Sequence, residues 1–161
     1  MQWGRVLLSG IKIERMTDEN VECAAVIERE CFSLPWSLTS LKSELLNPCA
    51  AFFVAMINGE AAGYAGMHHV VDEGYVTNIA VLPRYRRRGV ASALLENYFR
   101  YAQAHGLRMI TLEVRESNAG AIAFYEKTGF RVEGKRSNFY TNPVEDGMIM
   151  TVYFNKQETL D

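Results

Sequence analysis

Apolar positions along the chain change period several times, and the changes divide it into strands and helices. Ile11 to Met16 (IKIERM) alternates apolar and polar residues, which predicts a strand. Val21, Ala24, Ala25, Ile27 and Cys31 then recur at helical spacing, with Thr17 or Asp18 available as the cap. Pro35 in CFSLPWS interrupts that helix, Ser37 can cap a second, short one through Leu46, and Pro48 ends it. Ala50 to Ile57 predicts a strand, Asn58-Gly59 a tight hairpin, Ala61 to Val71 the return strand, and Asp72-Glu73-Gly74 the next turn.

Tyr75 to Leu82 reads as a further strand. Leu94, Leu95, Tyr98, Phe99 and Ala102 mark one face of a helix from Gly89 to His105, which Gly106 stops. Leu107 to Val114 predicts a strand, and Ser117 or Asn118 opens a helix that ends at Gly129. Phe130 to Glu133 begins a strand, Phe139 to Gly147 reads as a long loop or turn, and Met148 to Phe154 is the last strand. Hairpins early and strand–helix–strand crossovers late imply an α/β fold, a mixed sheet with helices on both faces. No repeat or linker interrupts the pattern. One domain over residues 11–155 is expected, between a short extension at 1–10 and a tail at 156–161.

Composition narrows the class. The chain has 161 residues, 48% hydrophobic and 22% charged, enough to bury a core without metal or disulfide staples. A formal net charge of −2 argues against generic electrostatic binding to nucleic acid. Cys23, Cys31 and Cys49 are odd in number and form no CxxC pair, which suggests free thiols in a reducing cytoplasm. His68, His69 and His105 have no metal-ligand spacing with them, and no metal is expected. No apolar run reaches the roughly 18 residues of a membrane span, and MQWGRVLLSG is too short for a signal-peptide core. A soluble, cytoplasmic protein with no membrane partner is the expectation.

The stretch most suggestive of chemistry is Val76 to Ala93, VTNIAVLPRYRRRGVASA. A strand passes through a proline-punctuated, arginine-rich turn into a helix at Gly89. Glycine there lets backbone N–H groups approach a ligand, and the first helical turn adds unpaired donors and the positive end of a dipole, an arrangement suited to phosphate. The loop lacks GxxxxGK[ST] and GxGxxG; what stands there is R-x-x-G-x-A, Arg86, Arg87, Arg88, Gly89, Val90 and Ala91. On residue types alone, a solvated basic turn explains it equally well.

R-x-x-G-x-A between an apolar strand and an amphipathic helix resembles the acetyl-CoA diphosphate loop of the GNAT N-acetyltransferase superfamily. The resemblance extends through LEVRESNAGAIAFYEKTGF, NFY and EDGMIMTVYF, most of Val76 to Phe154, and CFSLPWS is similar to the substrate-side loop of the RimI-type branch. That branch acetylates the N-terminal alanine of a small-subunit ribosomal protein. The resemblance implies the GNAT fold with splayed central strands and acetyl-CoA as co-substrate. It implies that Arg86, Arg87, Arg88, Gly89, Val90 and Ala91 hold the diphosphate, and that Ile79, Ala80 and Val81 lie along the pantetheine arm. Ala91 stands where the family more often has glycine. Asn78 beside Ile79 is a candidate start of the splay and lies on the substrate side.

Acetyl transfer to an amine requires a neutral amine, a donor for the oxyanion and a proton for the departing thiolate. A peptide α-amino group, with a pKa near 7.7–8.0, needs only a modest base, whereas a lysine near 10.4 is harder. The resemblance assigns Glu113 in LEVRESN as base and Tyr125 in AIAFYEKTGF as acid. A backbone N–H at Ile79 or Val81 would hold the oxyanion, and Asn118 would lie near the pantetheine. Each has a plainer reading. Alternation puts Glu113 on one face with Thr111, facing solvent; Tyr125 packs beside Phe124; Asn118 caps its helix.

Around the acceptor, the resemblance points to Leu34, Pro35 and Trp36 for apolar contact and to Tyr140 for a hydrogen bond to the peptide backbone. Packing is the competing reading for each. Glu145 and Asp146 could attract an arginine of the acceptor or simply form an acidic turn. The expected partner is a protein N-terminus, with the protein itself a monomer or weak dimer. A GNAT acting on a lysine or small-molecule amine, and a non-catalytic acyl-CoA-binding module, are the alternatives.

Overall fold

A computed structural model describes residues 10–154 of the chain. The elements run β1 (Ile11–Arg15), α1 (Val21–Cys31), α2 (Leu38–Glu44), β2 (Phe53–Ile57), β3 (Glu60–Val70), β4 (Glu73–Val81), α3 (Val90–His105), β5 (Met109–Arg115), α4 (Ala119–Lys127), β6 (Arg131–Thr141) and β7 (Val144–Tyr153), with a 3-10 turn at Pro83–Tyr85. The strands form a seven-stranded sheet in the order β1-β2-β3-β4-β5-β7-β6. β1 with β2, β2 with β3, β5 with β7 and β6 with β7 pair antiparallel, and β4 with β5 pairs parallel. The sheet is mixed, as the pattern predicts, and most of its pairings are antiparallel. Residues 1–9 and 155–161, most of the expected extension and tail, lie outside the described residues.

Contacts divide the chain into two compact units. One is formed by the residues up to His68 with Thr77–Tyr101, the other by His69–Val76 with the residues from Ala102 onward. In the first, Val21, Ala24, Ala25 and Ile27 turn the inner face of α1 into the core beside Leu41, Val54, Tyr64 and Leu94. Tyr98 is fully buried; its hydroxyl donates to the Ala51 carbonyl at 2.8 Å and its ring meets Phe53 edge-on, so its polar end is satisfied without water. Gly63 allows a close approach: a Cβ there would sit 2.7 Å from the Ala80 carbonyl oxygen and 3.1 Å from Val90.

In the second unit the β4–β5 ladder runs through Glu73↔Met109, Gly74↔Ile110 and Tyr75↔Thr111. β5 continues its pairing with β7 as far as Arg115↔Gly147. Alternation along β5 buries Ile110, Leu112 and Val114 on one face, and Thr111, Glu113 and Arg115 share the other. α4 begins where the Asn118 side chain accepts from Ala121 N–H at 3.1 Å. It ends at Lys127, and beyond it Gly129, at φ 105°, brings the Phe130 N–H onto the Tyr125 carbonyl.

Three expectations need correction. α1 starts at Val21, because Thr17 and Asp18 belong to a preceding turn: Asn20 Oδ1 accepts from Thr17 N–H at 2.8 Å, and its amide donates to the Arg15 carbonyl. The β3–β4 turn lies at Val71–Asp72, with Val71 at φ 56°, and β4 already includes Glu73 and Gly74. The long loop expected from Phe139 to Gly147 is largely strand. β6 runs to Thr141, the turn is Asn142–Pro143, and β7 resumes at Val144. β6 is the last strand in the order and is exposed along most of its length, so backbone pairing sustains it without an apolar face.

Candidate active site

In the first unit β4 leads through the Pro83–Tyr85 turn into the arginine loop and α3. Arg87 at φ 60° and Gly89 at φ 80° turn the backbone twice into the left-handed region. Among the described residues, the N–H groups of Arg87, Arg88 and Gly89 have no recorded acceptor, and those of Val90 and Ala91 lie in the unpaired first turn of α3. The loop therefore presents a run of free donors at the positive end of a sixteen-residue helix. Arg86, Arg87 and Arg88 are exposed around it, and Arg88 lies 5.7 Å from the Tyr85 ring centre. A bound diphosphate fits this donor set.

Arg86 also reaches back, its Nε donating to the Val81 carbonyl at 3.0 Å, where the Cys31 thiol donates as well. Burial pushes the Cys31 thiol up, and Arg86 opposes the shift. Along β4, Ile79 and Val81 are partly exposed, whereas Asn78 and Ala80 lie on the buried face. All three cysteines are free. Among the described residues no cluster of three or more His, Cys, Asp or Glu could hold a metal ion, and no helix is long and apolar enough to cross a membrane.

The segment between α1 and α2 carries apolar side chains outward: Leu34 is 64% exposed, and Phe32 and Pro35 are exposed too. Trp36 is half-buried, its ring 6.0 Å from that of Phe52. The backbone here is anchored by Glu28, a residue absent from the sequence-based site. Its carboxylate is buried and accepts from Trp36 N–H at 3.0 Å, from Asn78 Nδ2 at 2.7 Å and from the Tyr64 hydroxyl. Its spacing held the signal: Glu28 lies seven residues after Val21 and four after Ala24, on the apolar face of α1.

In the second unit Glu113 is not solvated, and the solvent-facing reading of its alternation fails. Its side chain is 4% exposed; Oε1 lies 3.1 Å from Arg136 Nε and Oε2 accepts from the Tyr75 hydroxyl. Tyr75 and Arg136 are further site residues that the sequence reading missed. Cross-strand register supplies Tyr75, which lies opposite Thr111, two residues before Glu113 on the same face.

Tyr125 is buried and packs edge-on against both Phe124 and Phe130. Burial holds its phenol well above the ordinary tyrosine value, with Tyr140 adding to the shift. Tyr140 lies beneath Arg115, whose guanidinium carbon is 4.3 Å from the ring centre. Its phenol is pushed up to about 12 by burial and then by the charge of Glu113. Tyr140 therefore feels the charge of Glu113 and in turn adds to the shift of Tyr125. Asn118 is exposed at the start of α4 and its side-chain oxygen serves as the cap.

The carboxylates after Pro143 have internal partners. Glu145 accepts from Ser117 N–H at 2.6 Å and pairs with Arg115 at 3.3 Å, contacts that hold its carboxyl below the usual range. Asp146 accepts from Asn138 N–H at 2.8 Å. Both residues lie at the start of β7 rather than in a turn, and these internal contacts occupy their carboxylates.

Residues 15–130 match the model of the acetyltransferase (GNAT) family. The [ribosomal protein bS18]-alanine N-acetyltransferase of Escherichia coli K12 is 36% identical over 142 residues, spanning 87% of this chain and 95% of that protein. The crystal structure of the ribosomal-protein-S18-alanine N-acetyltransferase from Escherichia coli superposes with a TM-score of 0.85 at 34% identity, covering 94% of this chain and 99% of that one. Arabidopsis thaliana Naa50, solved in complex with the bisubstrate analogue CoA-Ac-MVNAL, shares the fold with a TM-score of 0.80 at 21% identity, covering 90% of this chain and 99% of that one. The chain belongs to the GNAT acetyltransferase family.

Proposed function

We propose that the protein transfers the acetyl group of acetyl-CoA to a protein's N-terminal α-amino group in the cytoplasm, the acceptor being the N-terminal alanine of a small-subunit ribosomal protein. One observation carries the reading: a carboxylate, Glu113, is withdrawn from solvent on a strand, accepts from the Tyr75 hydroxyl and raises the phenol of Tyr140. The names of the Escherichia coli relatives support the choice of acceptor.

In this reading Arg86 to Ala91 hold the diphosphate through backbone N–H groups and arginine charge, and Ile79 to Val81 align the pantetheine arm, with Asn118 near it. Acetyl-CoA supplies an activated thioester. Glu113 removes a proton from the α-ammonium, directly or through a water, leaving a lone pair to attack the carbonyl carbon. Attack forms the N–C bond and places charge on the carbonyl oxygen, which an N–H of Ile79 or Val81 stabilises. As the C–S bond then breaks, the nitrogen gives up its second proton, through water, to the Tyr125 phenolate left by thiolate protonation, so that a neutral amide and a free thiol result. Tyr125 hydrogen-bonds the sulfur and gives its proton to the thiolate. Its raised pKa keeps that proton in place at neutral pH and makes full transfer uphill, so the hydrogen bond precedes cleavage.

The test is kinetic. Glu113→Gln should lower turnover about 100-fold or more with acetyl-CoA affinity little changed, and Tyr125→Phe should do likewise. Wild-type turnover in both variants would refute the assigned roles.

A further inference from the structure

Three buried side-chain polar atoms lack a partner among the described residues: Thr77 Oγ1, Asn78 Oδ1 and Asn97 Nδ2. Asn78 is the informative one, because its orientation is dictated. Its side chain sits on the buried face of β4, 8% exposed, with Nδ2 2.7 Å from Glu28 Oε1. Turning the amide over would set its carbonyl against an oxygen that already accepts from the Tyr64 hydroxyl. The amide donor must therefore face Glu28, and the carbonyl oxygen is left pointing away from it with nothing to accept from. A buried acceptor without a donor is unfavourable, and a ligand that supplies one gains from the pairing.

We propose that Asn78 Oδ1 accepts a hydrogen bond from an N–H of the acceptor peptide, and that Glu28 is the positioning residue that aims it there. The inference rests on the reading that residues 32–36 flank the acceptor. The same carboxylate that orients Asn78 holds the Trp36 N–H at 3.0 Å, immediately after the outward-facing Leu34 and Pro35. One buried group thus fixes both the apolar segment and the unpaired carbonyl. This joint anchorage favours the peptide over the pantetheine amides as the source of the N–H. Glu28→Gln supplies an amide that can donate to Asn78 Oδ1 and so consume the acceptor.

The experiment measures KM for a peptide with a free N-terminal alanine, and separately for acetyl-CoA, in wild type, Asn78→Ala and Glu28→Gln. Thermal midpoints are recorded for each. The expected result is a rise of about tenfold or more in peptide KM for both variants, with acetyl-CoA KM within about twofold of wild type. A rise in acetyl-CoA KM instead would assign the N–H to the cofactor and overturn the proposal. Unchanged values for both substrates would mean that water satisfies Asn78, and would overturn it too. Should either variant fail to fold, the Asn78 13Cγ resonance of the wild-type protein decides: it should move downfield when peptide is added to the CoA-bound protein. Movement with CoA alone, or none, would refute the assignment. Absence of wild-type turnover on this peptide removes the acceptor reading and the inference together; wild-type turnover with unaltered variants removes the inference alone.

Discussion

Nε of Arg136 lies 3.1 Å from Oε1 of Glu113, and the two side chains differ sharply in exposure, 57% against 4%. The pair is half in water, so its strength falls between that of a surface ion pair and a buried one. A double-mutant cycle with Arg136→Met and Glu113→Gln should give a coupling energy of about 1–2 kcal/mol in chemical denaturation. Additive effects would show that the contact contributes nothing to stability.

The arginine loop predicts a specific loss. Gly89 has φ 80°, a conformation that costs a non-glycine residue about 1–2 kcal/mol. Gly89→Ala should raise KM for acetyl-CoA about tenfold and leave the peptide KM nearly unchanged. Because Arg86, Arg87 and Arg88 are exposed, added salt should also weaken acetyl-CoA binding. A KM for acetyl-CoA insensitive to both changes would contradict the diphosphate assignment.

Packing at Gly63 is equally testable. An added Cβ would come within 2.7 Å of the Ala80 carbonyl, a backbone atom with little freedom to retreat. Gly63→Ala should cost about 1–3 kcal/mol in urea denaturation, and a neutral effect would mean that β4 shifts readily.

Alkaline pH should destabilise the fold. Burial raises the phenols of Tyr64, Tyr98 and Tyr125 above their unfolded value of 10.0, and Glu28 adds to the shift of Tyr64. The unfolded chain then releases these protons first, so the stability they confer is complete below about pH 10 and declines as pH rises beyond it. Denaturant midpoints measured from pH 8 to pH 11 (a range set around that value) should fall above pH 10. The fall should be shallower in Tyr98→Phe; a flat profile would contradict the sign.

How much of this was legible follows from which residues announce themselves. The Asn58-Gly59 hairpin, the Ser37 and Asn118 caps and the stops at Gly106 and Gly129 are local signals, and each marks an element boundary in the structure. The polar edge strand β6 has no apolar alternation to announce it, so Phe139 to Gly147 read as a long loop, whereas the turn that forms there has two residues. At the site, Glu113 and Tyr125 were named from motif resemblance. Tyr75 and Arg136 were not, because strand register decides which side chains meet a given carboxylate. Glu28 stood at an inward position but carried a charge, and its burial depends on donors from Tyr64 and Asn78, far away in sequence, as well as from nearby Trp36.

The most direct measurement uses one peptide that carries both a free N-terminal alanine and an internal lysine, incubated with acetyl-CoA and the protein and fragmented by tandem mass spectrometry. The proposed function predicts the added acetyl group on the α-amine, with the lysine unmodified. Acetylation confined to the lysine would contradict it.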